Sequence, residues 1–144
     1  YKSLQAYEKA HEYLEATVGK THPDVAANHN NRGLALWGLR RYEEAGVEYR
    51  HAQSLFGATL GLEHPNVALC HFNWGLTLVS HASSVSDTGP PKAGITNLLD
   101  TAAQEFASAH TIWEKTLGAD HPETKMAVQY AKNPIMAIEA TQQH

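Results

Sequence analysis

Apolar positions recur along this chain at helical spacing. Ala45, Tyr49, Ala52, Phe56 and Leu60 advance by four, three, four and four residues, which places them on one stripe of a helix. Val25, His29, Arg32, Leu36 and Leu39 form a second stripe, interrupted by two polar side chains. Gly61 suits a cap that ends one helix, and Pro65 suits the first turn of the next. The pattern predicts six helices, over 1–18, 24–39, 42–60, 66–80, 94–117 and 123–142. Asn133-Pro134 is expected to break or kink the last, because proline removes a backbone donor and disfavours helical geometry before it. Residues 81–94 (HASSVSDTGPPKAG) interrupt the periodicity and read as a linker-like insertion.

The stripes repeat. His22-Pro23, His64-Pro65 and His121-Pro122 mark three equivalent points, the first two 42 residues apart and the last two 57 apart. The additional length falls on the 81–94 segment. At the shorter offset Val25 matches Val67, Ala26 matches Ala68, His29 matches His71 and Asn31 matches Asn73. Gly33, Leu34 and Leu36 likewise match Gly75, Leu76 and Leu78. Upstream of each His-Pro, Tyr7, Tyr49 and Phe106 align, as do Ala10, Ala52 and Ala109, then Gly19, Gly61 and Gly118. The expected organisation is one domain over 1–144. It comprises a half repeat (1–19), a repeat (22–61), a stretched repeat (64–118) and a terminal half repeat (121–144). Both ends of the stack read as cut edges.

Gly33, Ala45, Tyr49 and Ala52, then Gly75, Ala102, Phe106 and Ala109, resemble the tetratricopeptide repeat signature. The longer period and the Leu60-Gly61-Leu62-Glu63-His64-Pro65 junction are similar to the kinesin light chain branch of that family. So are Asn30-Asn31, Gly33-Leu34-Ala35-Leu36 and Arg41-Tyr42-Glu43-Glu44-Ala45. HEAT and armadillo arrays have comparable periods, but the registered glycines and alanines favour tetratricopeptide geometry. His29 and Arg32 depart from the large apolar residues usual at their positions, and Thr124 to Tyr130 lacks the Asn and Gly landmarks. The resemblance implies an all-α fold, a right-handed α-α superhelix of about six antiparallel helices.

Composition narrows the function. Hydrophobic content of 42% is ordinary for a folded domain, and a net charge of −4 with eleven scattered Lys and Arg argues against nucleic-acid binding. No apolar run is long enough for a membrane span. Cys70 has no partner for an internal disulfide, which fits a reducing, cytoplasmic setting. Phosphate loops and nucleophile elbows are missing, so an enzyme is not expected and no cofactor is implied. Of ten histidines, His22, His64 and His121 start repeats and read as caps, while His29 and His71 face a partner helix. No helical His pair at four-residue spacing stands beside an acidic residue, so no metal site is expected either.

By the family resemblance, the first helices of successive repeats line a concave face that takes a peptide. The residues implied there are Ala27, Asn30, Asn31, Leu34 and Trp37, then Leu69, Phe72, Asn73, Leu76 and Val79. An Asn amide both donates and accepts, which suits an extended backbone, while Trp37 and Phe72 offer apolar anchors. The expected partner is a protein or peptide segment. The competing expectations are a purely structural or self-associating solenoid segment, and an accessory region of an enzyme whose activity lies elsewhere. For the asparagines, the competing role is to hold neighbouring helices together. Trp74 and Trp113 are expected in the core.

Overall fold

The computed structural model describes residues 2–86 and 92–138. Six helices follow in order: α1 (Lys2–Val18), α2 (Pro23–Gly38), α3 (Tyr42–Leu60), α4 (Pro65–Ser86), α5 (Lys92–Leu117) and α6 (Pro122–Lys132). No strand occurs among the described residues, so the chain is all-α. A last helical turn starts at Met136, after the break expected at Asn133-Pro134.

The His-Pro landmarks work as helix starts. Nδ1 of His22 accepts the Asp24 N–H at 3.0 Å, His64 accepts from Asn66 at 3.1 Å and His121 from Glu123 at 3.2 Å. Each imidazole satisfies a backbone donor that the first helical turn leaves open, and the proline beside it has no N–H to satisfy. Gly19, Gly61 and Gly118 have φ of 91°, 105° and 92°, conformations that a Cβ disfavours. The α2–α3 turn solves the same problem without glycine. Arg40 adopts φ 62°, Arg41 N–H donates to the Leu36 carbonyl and Arg40 N–H to that of Trp37. This is the two-bond closure that commonly ends helices.

Each helix packs on the next, and α2 also touches α4. The Asn30–Asn73 and Trp37–Ser80 contacts share one sequence separation of 43, so α2 and α4 run parallel as neighbours. Small residues admit large ones between the paired helices. The Tyr49 ring occupies the space beside Gly33, and the Phe106 ring the space beside Gly75. Ala45, Ala52, Ala102 and Ala109 are wholly buried around them. Phe72 contacts Phe106, Trp113 and Tyr130, with ring centroids 5.3, 5.3 and 5.9 Å away. Trp113 is buried as expected, whereas Trp74 is half-buried under the Arg50 guanidinium, 4.4 Å from its ring.

The 81–94 segment differs from its reading as a linker. Helix α4 continues through Ser86 and α5 begins at Lys92, so most of the insertion lengthens two helices. Ala82 is buried and His81 stacks on Tyr42, which gives the added turn of α4 contacts of its own. Residues 87–91 of that segment, and residues 139–142 of the expected last helix, lie outside the described residues.

Candidate functional site

The expected peptide-lining residues separate into two sets. Ala27, Asn31 and Leu34 are exposed on α2 at steps of four and three, so they share one stripe. Leu69 is exposed on α4 and Leu76 half-buried, at the positions equivalent to Ala27 and Leu34. These five form an outward row across two parallel helices. Met126, the equivalent of Leu69 on α6, is also exposed.

The other set faces inward. Asn30 and Asn73 are buried, and Asn73 Nδ2 donates to Asn30 Oδ1 at 3.1 Å. The pairing joins residue 30, not residue 31, to residue 73, so the two asparagines matched by the repeat point to different surroundings. Thr77 Oγ1 donates to the Asn73 carbonyl at 2.9 Å and lies 3.3 Å from the Tyr49 hydroxyl. Trp37 is half-buried and donates its indole N–H to Ser80 Oγ at 2.9 Å. Phe72 belongs to the aromatic core and Val79 is 1% exposed. Buried amides require partners, and here α2 and α4 supply each other's.

A second polar constellation repeats between α2–α3 and α4–α5. His29 Nδ1 donates to Glu48 Oε2 at 2.6 Å, and His71 Nδ1 to Glu105 Oε2 at 2.5 Å. Arg32 Nη2 stands 3.7 Å from the other Glu48 oxygen. Burial opposes the charge on Glu48, but the His29 hydrogen bond and the Arg32 guanidinium outweigh it and hold the carboxyl below its ordinary range. At the first of these junctions two more imidazoles gather: His11 on α1 and His51 on α3 have ring centroids 4.9 and 5.2 Å from that of His29. The sequence stripes found His29 and His71 but not this grouping, which draws on three helices. Sequence reading missed Glu48 and His51; their i, i+3 spacing on one helix face was the local signal that could have found them.

A depression of about 220 Å³ lies elsewhere, between α3, α4 and α5. Gly46, Val47, Arg50, Trp74, Leu78 and Leu98 line it, and none of the expected peptide-lining residues does. No protein-family model matches this chain, and no curated protein matches it.

Proposed function

We propose that this chain is a tetratricopeptide-type solenoid segment, wound as a right-handed superhelix, that binds an extended peptide or protein segment across α2 and α4. The function is interaction, not catalysis. The observation that carries this reading is the outward row of Ala27, Asn31, Leu34, Leu69 and Leu76 on two parallel helices. Leu34 on α2 and Leu69 on α4 are 36% and 38% exposed, large apolar side chains on neighbouring helices. An extended peptide meets such a row with its side chains on the leucines and its backbone on the Asn31 amide. The Asn30–Asn73 and Trp37–Ser80 bonds set the spacing of the row before a ligand arrives. Ordering that is already complete does not have to be supplied on binding.

The test is selection of peptides from a displayed random library on the purified chain, with affinities then measured by fluorescence anisotropy. Leu34→Glu and Leu69→Glu should each weaken the selected peptides about tenfold, the loss of roughly 1.4 kcal/mol at an apolar anchor. Arg50→Glu, in the α3–α4–α5 depression, should leave them unchanged. If Arg50→Glu abolishes binding and the two leucine variants do not, the depression is the site and this reading fails. If no peptide is enriched, the purely structural reading takes its place.

A further inference from the structure

We infer that the α1–α2–α3 junction holds a divalent transition-metal ion of the zinc class, ligated by His29, Glu48 and His51. One donor atom from each of these residues lies within 4.8 Å of the others. Zinc sits about 2.0–2.2 Å from imidazole nitrogen and carboxylate oxygen, so two of its donors are separated by less than about 4.4 Å. The grouping therefore needs only small side-chain rotations. The 2.6 Å His29–Glu48 separation opens as the ion replaces the proton between them, and His51 swings inward. The proton leaves with binding, as it does wherever a metal displaces a hydrogen.

Arg32 Nη2 takes one Glu48 oxygen, Oε1, at 3.7 Å, which leaves Oε2, the oxygen facing His29, for the ion. His29 is 9% exposed and Glu48 half-buried, which holds two donors in place, while His51 is exposed and gives access from solvent. Glu48 and His51 are three residues apart on α3, on one face of that helix. His11 on α1 packs its ring against that of His29, with centroids 4.9 Å apart. Two imidazoles and one carboxylate make a borderline donor set that favours zinc over magnesium or calcium, and the fourth position is left for water.

The second repeat provides an internal comparison. His71 and Glu105 make the same hydrogen bond there. In that repeat, however, Gln53 takes the position of His11 and Ser108 that of His51. A His–Glu pair alone is accounted for as a bond between helices. Only the first junction adds the further imidazoles.

Isothermal titration of the tag-free full chain with zinc chloride tests the assignment. One zinc ion per chain is expected, with proton release and a rise of several degrees in Tm at saturation. His51→Ser, which installs the residue of the second repeat at an exposed position, should weaken the site at least tenfold, and Glu48→Gln should do the same. His71→Gln should leave zinc affinity unchanged. Circular dichroism checks each fold, and the exposed His51 keeps the test informative should Glu48→Gln unfold. Absence of zinc binding, or binding that persists equally in His51→Ser, overturns the assignment.

Discussion

The Tyr49 ring fills the place where a side chain on Gly33 would stand. A Cβ at Gly33 would overlap Cε1 of that ring and lie 2.7 Å from Cδ1. Gly75 and Phe106 repeat the relationship one unit later, at 2.7 Å from Cε1. Both rings are wholly buried, so neither has room to retreat. Gly33→Ala and Gly75→Ala should therefore each destabilise the fold by about 1–3 kcal/mol, despite alanine's better helix propensity. Gly38 meets nothing within 4 Å, and Gly38→Ala should be neutral or mildly stabilising. Urea unfolding of the three variants gives the comparison.

The Asn30–Asn73 bond joins repeats through buried amides, so removing one partner strands the other. Asn73→Ala is expected to cost about 1–3 kcal/mol in chemical denaturation, as a buried polar group loses its partner. The Asn30→Ala/Asn73→Ala double variant should cost less than the sum of the singles. Asn31→Ala, on the exposed side, should change stability by less than about 0.5 kcal/mol. The two asparagines adjacent in sequence are thereby assigned opposite roles, one in the stack and one on the surface.

Burial pushes the Cys70 thiol and the Tyr49 phenol each up to about 12, from unperturbed values of 9.0 and 10.0. In both cases the folded state keeps its proton where the unfolded chain has lost it. The stability they contribute is complete below about pH 9 and is lost progressively as pH rises toward 12. Thermal melts should show this alkaline decline, and Cys70→Ser should reduce only the part that begins near 9. At neutral pH the native Cys70 should resist thiol reagents until denaturant is added.

Arg40 is the one described non-glycine residue with positive φ, at the turn that closes α2. Arg40→Gly should stabilise the fold by up to about 1 kcal/mol, because the left-handed conformation costs a side-chain-bearing residue roughly 1–2 kcal/mol and glycine's greater chain entropy returns part of that. Denaturant midpoints at equal slope are the measurement.

Helix positions were legible because their causes are local. The His-Pro caps, the glycines before them and the apolar stripes all act within a few residues, and α3 ends where its stripe ends. The Gly33 and Gly75 packing was also readable, since repetition placed a small residue and an aromatic at matching points. The inward turn of Asn30 was not. It depends on the parallel α2–α4 neighbours meeting at a separation of 43, one residue away from the repeat offset. The extension of α4 through Ser86 was hidden by a Ser-rich composition that tertiary contacts at Ala82 and His81 override. The gathering of His11, His29, Glu48 and His51 draws on three helices, beyond any one stripe.

The peptide-binding face is tested most directly by following backbone amide resonances of the chain as a library-selected peptide is added. Shifts concentrated on Ala27, Asn31, Leu34, Leu69 and Leu76, with α3 and α5 still, are the expected result. Shifts confined to Val47, Arg50, Trp74 and Leu98, or no shifts at all, would contradict it.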